Sequence, residues 1–244
     1  MVLLNLACEE EKEKLKMTKK WKIVSASVFS TAELGLLIAV LTCSGKVVPP
    51  LQFSAIALAF AFSLIFVSFK DRKFIIQLAL LFTVVADVFL VLVEPRNQAL
   101  AMTSFSLTQI LYFVKLLMTT ENKKIRLANL ISRITTIVLV LVVTLIVLGG
   151  KADYVALISM FYFANLVLNV IFAFIGFKQN PLFAIGLLLF MLCDIFIGLQ
   201  CAIGVYIDVD PSSIIYQIAF SPFNWAWLFY IPSQTLLSLT TMRK

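Results

Sequence analysis

Three carboxylates, Glu33, Asp87 and Asp194, stand inside long apolar runs of a 244-residue chain. A charged side chain in hydrocarbon costs ~2.5–3.5 kcal/mol even on lenient insertion scales, so an intramembrane carboxylate is a functional candidate by default. Amide and phenol side chains recur beside them. Gln109 and Tyr112 are spaced i, i+3, while Asn165/Asn169 and Tyr230/Gln234 are spaced i, i+4. Each pair therefore shares one face of a helix. Asn and Gln also serve as hydrogen-bond glue between membrane helices, and that structural role competes with a functional one. Two carboxyls in a dry site can do acid–base work, because burial and like charge separate their protonation states. Asp87 and Asp194 are the catalytic candidates on this reading. Gln109, Tyr112, Asn165, Tyr230, Gln234 and Glu33 are candidates to orient substrate or water.

Absences narrow the chemistry. The chain has no histidine, which removes Ser-His-Asp and Cys-His catalysis and most zinc sites. Cys8, Cys43, Cys193 and Cys201 form no CxxC pair, and the last three lie in or beside apolar runs, as small hydrophobes do. No glycine loop of the dinucleotide or phosphate-loop type occurs. No metal and no organic cofactor is expected.

The elements that must position these residues follow from composition. Hydrophobic residues make up 61% of the chain and charged residues 14%, against roughly 45–50% and 25% in soluble domains. A soluble fold cannot hide that much apolar surface. The apolar residues fall in runs of about 20, the length a helix needs to cross a ~30 Å hydrocarbon core. Eight such runs occur, at 23–43, 51–69, 74–93, 98–119, 127–149, 154–177, 182–203 and 224–241. The expectation is an all-α, multi-pass bundle of eight transmembrane helices over 23–241. A solvated tail precedes it (1–22) and a short end follows (242–244). The N-terminal segment lacks the layout of a cleavable signal peptide, and Met17 is a second candidate start.

Basic residues set the expected orientation. The N-terminal segment, alternate loops and the C-terminus carry fifteen Lys and Arg, and the opposite loops carry three. That asymmetry places both termini in the cytoplasm and explains the net charge of +7 without a nucleic-acid partner. Lys115 and Arg133 fall inside runs. Lys115 is expected to snorkel to the headgroups, and Arg133 to snorkel or bind lipid phosphate. Trp21, Trp225 and Trp227 fall at expected membrane interfaces.

A weak internal repeat links the aspartates. Leu81-Phe82 leads to Asp87-Val88-Phe89, and Leu189-Phe190 leads to Asp194-Ile195-Phe196. Spans 1–4 and 5–8 would then be two parallel four-helix repeats, with Asp87 and Asp194 brought together by a pseudo-two-fold axis.

The segments LALLFTVVADVFLVL, SFSLTQILYF, FAIGLLLFMLCDIFIGL and WLFYIPSQTLLSL, in this order and spacing, resemble the YhhN-like lysoplasmalogenase membrane proteins. Ala86, Gln109 and Cys193 stand where that family's pattern has Gly, His and Ser. The resemblance implies a membrane hydrolase that cleaves the vinyl-ether bond of a lysoplasmalogen to a fatty aldehyde and a glycerophospho-base. It also implies Asp87 and Asp194 as the catalytic residues. The substrate partner would be a lysophospholipid drawn from the bilayer, and in a bacterium the site of action would be the cell membrane. Two other readings fit the polar residues: a proton-coupled transporter, and an inactive lipid-binding family member. Oligomeric state is not legible in the sequence.

Overall fold

The computed structural model describes residues 2–66 and 74–242, with side chains from residue 19 onward. The basic loop at 70–73, the side chains of the N-terminal tail and residues 243–244 lie outside the described residues. Nine α-helices and no strand occur among the described residues: α1 (Val2–Thr42), α2 (Val48–Leu64), α3 (Phe74–Asp87), α4 (Gln98–Thr119), α5 (Lys123–Leu148), α6 (Tyr154–Ile175), α7 (Pro181–Val205), α8 (Ile214–Ala219) and α9 (Trp225–Leu239).

Short polar residues start the helices. The side-chain oxygens of Asn97, Asp153 and Asn180 accept from backbone N–H groups of Leu100, Ala156 and Phe183, which satisfies donors that the first turn leaves free. Pro49, Pro50 and Pro181 sit in first turns, where a missing N–H removes no helical bond. Gly149 ends α5 with φ +52°, a backbone region that L side chains avoid.

Among the described residues, seven helices are long and apolar enough to cross a membrane, α1 through its Lys19–Thr42 portion and α2 to α7. The chain is an integral, multi-pass membrane protein. The eighth expected span forms α9, a 15-residue helix continued by one 3-10 turn at Thr240–Met242. The expected span at 74–93 divides into α3 and a π-helical turn at Val88–Leu92. The expected 204–223 connection contains the short α8.

Helices α2, α3, α4, α6, α7 and α9 pack in that order into a closed ring, since α2 and α9 also touch. Helix α1 lies outside it against α2 and α9, and α5 lies outside it against α6. The tightest seam joins α7 and α9. Ser233 donates from its hydroxyl to the Gly186 carbonyl at 2.8 Å, and a Cβ at Gly186 would lie 2.9 Å from Leu237 Cγ. Small residues admit such close approach in membrane bundles. Threonines join α3 to α4, where Thr108 Oγ1 donates to the Ala79 carbonyl at 3.1 Å. The largest core cluster fills the ring and includes Leu80, Phe105, Tyr112, Tyr162, Phe183, Phe190 and Tyr230.

Candidate functional site

Asp87 is the last residue of α3, where the helix widens into its π-helical turn. Such bulges frequently mark functional sites, because they re-aim the side chains around them. Asp87 is 2% exposed. Tyr230 of α9 donates from its hydroxyl to Asp87 Oδ2 at 2.7 Å. Asp194 on α7 is half-buried, and the Tyr162 hydroxyl of α6 donates to its Oδ2. Each aspartate is thus oriented by a phenol from a different helix.

Aromatic rings join the two pairs. Phe190, one turn before Asp194 on α7, has its ring 5.5 Å from that of Tyr230 and 6.5 Å from that of Tyr162. Phe105 of α4 closes the group, 5.6 Å from Tyr162 and 5.9 Å from Phe190. Trp227, half-buried in the first turn of α9, stands edge-on to Tyr230 at 5.2 Å. Asp87 and Asp194 are thus linked through Tyr230, Phe190 and Tyr162. Their depths match as well. Thirteen residues separate Phe74 from Asp87, Pro181 from Asp194 and Tyr162 from Ile175, about 20 Å at 1.5 Å per residue.

A second polar cluster sits on the α4–α6–α5 side. Arg133 of α5 is 4% exposed. Its guanidinium donates to Oδ1 of Asn165 at 2.5 Å and to Oδ1 of Asn169 at 2.8 Å. Asn169 in turn donates to Gln109 Oε1 at 2.9 Å. Arg133 does not snorkel to the headgroups as its position in the sequence suggests; three amide side chains and the Phe113 ring enclose it. Lys115 also points inward, with its ammonium 3.8 Å from the centre of the Phe183 ring.

The residues expected to orient substrate therefore part company. Tyr230 meets Asp87, while Gln109 and Asn165 belong to the arginine cluster. Tyr112 is fully buried with its ring edge-on to Phe183 at 5.5 Å, and its hydroxyl has no hydrogen-bond partner among the described residues. Gln234 and Glu33 are likewise buried, with neither amide atom of Gln234 and not Oε1 of Glu33 bonded. None of Gln109, Tyr112, Asn165, Gln234 and Glu33 bonds to either aspartate among the described residues.

Two participants are not among the candidates read from the sequence, Tyr162 and Phe190. Tyr162 lies i, i+3 from Asn165 and shares its helix face, so the polar stripe of α6 is one turn longer than the asparagines alone define. Phe190 is one of 22 phenylalanines and enters the sequence reading only through the repeat before Asp194, which gives no sign of its contacts with the two tyrosines. Among the described residues, no group of three His, Cys, Asp or Glu side chains is placed to hold a metal ion.

The arrangement can donate a proton, accept one, and surround a developing cation with aromatic faces. Comparison with known proteins gives one match. The model of the YhhN family covers residues 47–241, from the turn before α2 to the end of α9, leaving α1 and Glu33 outside. No curated protein and no solved structure matches the chain. With a family model spanning most of the sequence and both Asp–Tyr pairs, the chain belongs to the YhhN family.

Proposed function

We propose that the protein hydrolyses the vinyl-ether bond of a lysoplasmalogen, releasing a fatty aldehyde and a glycerophospho-base. The observation that carries this reading is the pair of tyrosine-held aspartates at one depth, joined through Phe190. Membership of a family that includes lysoplasmalogenases supports it.

A vinyl ether is protonated at carbon. One carboxyl delivers a proton to the alkenyl carbon remote from oxygen, and the carbon next to oxygen becomes part of an oxocarbenium ion. The other carboxylate takes a proton from water as that water adds to the cationic carbon. The resulting hemiacetal collapses by breaking its bond to the glycerol oxygen, which leaves as the alcohol with the proton held by the second carboxyl, while the hemiacetal hydroxyl returns its proton to the first. The aldehyde stays on the alkyl chain. No oxidant, reductant or cofactor is consumed.

Each group has a task. The Tyr162 and Tyr230 hydroxyls fix one oxygen of each carboxyl and so define the orientation of the other. The π-faces of Phe190 and Phe105 favour positive charge nearby. The apolar wall keeps bulk water away from the cation. The lipid chain enters from the bilayer, with the basic ends of the helices on the cytoplasmic side as the charge asymmetry indicates. All eight expected spans, α9 included, cross the bilayer in this arrangement.

The test follows aldehyde release from a lysoplasmalogen by purified protein, with Asp87→Asn and Asp194→Asn alongside. Release that disappears in both folded variants is the expected result. Full activity in either variant, or no release from folded wild-type protein, overturns the assignment.

A further inference from the structure

Arg133 has a need that the hydrolytic reading does not use. Its guanidinium is buried at mid-bundle depth, yet its hydrogen-bond partners are neutral. They are the side-chain oxygens of Asn129, Asn165 and Asn169 and the backbone carbonyl of Asn165. Amide oxygens solvate a cation without neutralising it, and a buried cation is stable when an anion is at hand. Its Nε is also buried and has no hydrogen-bond partner among the described residues. The site therefore has one charge and one donor to spare.

A surface depression lies on the same helix, nearer its basic end. Helices α4 and α5 make little contact, although they are consecutive, whereas α1 packs along both α2 and α9. An open depression of about 220 Å³ lies between the end of α4 and the first turns of α5, lined by Leu117, Lys123, Arg126, Leu127 and Leu130 and ending one turn short of Arg133. Lys123 and Arg126 are exposed at its mouth. Arg126, Leu130 and Arg133 follow one another at i, i+4 and i+7, so they form one stripe of α5. The stripe is cationic at the mouth, apolar along the wall and cationic again at depth.

The depth suits a particular ligand. Ten residues separate Lys123 from Arg133, Asn165 from Ile175 and Gln109 from Thr119. This polar tier lies about 15 Å from the basic helix ends, roughly one helical turn short of the tier of Asp87 and Asp194. Helix α6 spans both tiers, since Tyr162 meets Asp194 and Asn165 meets Arg133. One turn is close to the span from the C1 oxygen of a glycerophospholipid to its C3 phosphate.

We infer that Arg133, reached through the α4–α5 cleft, binds the phosphodiester of a single-chain glycerophospholipid. Lys123 and Arg126 draw the phosphate into the mouth, and Arg133 anchors it so that the bond at C1 lies beside the aspartates. A guanidinium and a phosphate form charge-assisted hydrogen bonds, stronger than those to the neutral amides. The inference rests on the hydrolase reading for its substrate, but its test does not depend on turnover.

The experiment measures binding of lysophosphatidylcholine, which has an ester in place of the vinyl ether, to the full chain in nanodiscs. Monoacylglycerol, glycerophosphocholine and inorganic phosphate are compared with it. The expected result is a preference of roughly tenfold or more for lysophosphatidylcholine over monoacylglycerol, given the strength of charge-assisted pairs. Arg133→Gln removes that preference, and Asp87→Asn retains it. A folded Arg133→Gln protein with an undiminished preference overturns the proposal. Inorganic phosphate binding as tightly as the lysolipid overturns the lipid assignment. Should Arg133→Gln fail to fold, the exposed pair Lys123→Gln/Arg126→Gln replaces it, with a several-fold loss expected; an unchanged preference is again fatal. Aldehyde release with an unaltered KM in Arg133→Gln sinks this site and leaves the hydrolase reading standing. Arg133-dependent lysolipid binding without aldehyde release from wild type does the reverse.

Discussion

The hydroxyl of Tyr230 donates to Asp87 at 2.7 Å, although 143 positions separate the two in the chain. That bond ties the widened end of α3 to the middle of α9. Tyr162 does the same for Asp194 from α6. Both carboxyls are thus fixed before any substrate arrives, which is the condition for positioned acid–base catalysis.

Removing either carboxyl has the largest expected effect. Asp87→Asn and Asp194→Asn are near-isosteric, so the bundle should keep its helical content and melting temperature. Turnover should fall by about 10²–10⁴-fold, the usual contribution of a general acid or base. Aldehyde release in parallel with circular dichroism checks both statements.

The phenols position the carboxyls, and their loss should be milder. Tyr230→Phe and Tyr162→Phe each remove one hydroxyl and keep the ring against Phe190. A fall in kcat of about tenfold, with KM little changed, corresponds to one lost hydrogen bond to a charged group. Equal falls in both variants would agree with the two pairs doing comparable work. Unchanged kcat in both would remove the tyrosines from the mechanism.

Phe190 tests the cationic character of the reaction. Leucine at this position preserves apolar bulk and removes the π-face between the two tyrosines. Loss of a desolvated cation–π contact is worth about 1–2 kcal/mol, so kcat in Phe190→Leu should fall roughly tenfold with little change in stability. A variant as fast as wild type would place the positive charge elsewhere.

Gly186 reports on the seam that aligns α7 with α9. A Cβ there meets Leu237 Cγ at 2.9 Å, and overpacking of a filled core costs about 1–3 kcal/mol. Gly186→Ala should lower the melting temperature, and Gly186→Ala/Leu237→Ala should recover part of the loss relative to Leu237→Ala alone. Gly186→Ala with wild-type stability would mean that the seam yields without strain.

Asn169 connects Arg133 to Gln109, accepting from one and donating to the other. Asn169→Leu leaves both facing an apolar side chain. A loss of about 1–3 kcal/mol is expected for unsatisfied buried groups, measurable as a shift in thermal unfolding in detergent. The same bonds bear on Gln109: in this chain the position belongs to the arginine cluster and not to the aspartates.

Much of this protein is determined by its sequence alone. Hydropathy in 20-residue runs dictates membrane helices, because the backbone cannot leave its polar groups unpaired in lipid. Asp87 and Asp194 stand out for a related reason, since charge in hydrocarbon is too costly to be accidental. Proline or asparagine marks the starts of α2, α4, α5, α7 and α9, and glycine follows α5 and α6. Partners are another matter. Glu33 reads as the equal of the two aspartates, yet it sits on α1, outside the ring of six helices. Arg133 reads as a residue near the membrane surface, but α4 and α6 surround it with an aromatic ring and amides. Tyr162 reads as an ordinary member of an apolar helix and Phe190 as one element of a weak repeat, and only the packing of α6, α7 and α9 makes them the links between two carboxyls. The physical reason is that hydropathy is a property of each segment, whereas a hydrogen bond across 143 residues depends on which faces the helices turn toward one another. That choice rests on small residues such as Gly186 and on many weak contacts summed over the whole bundle.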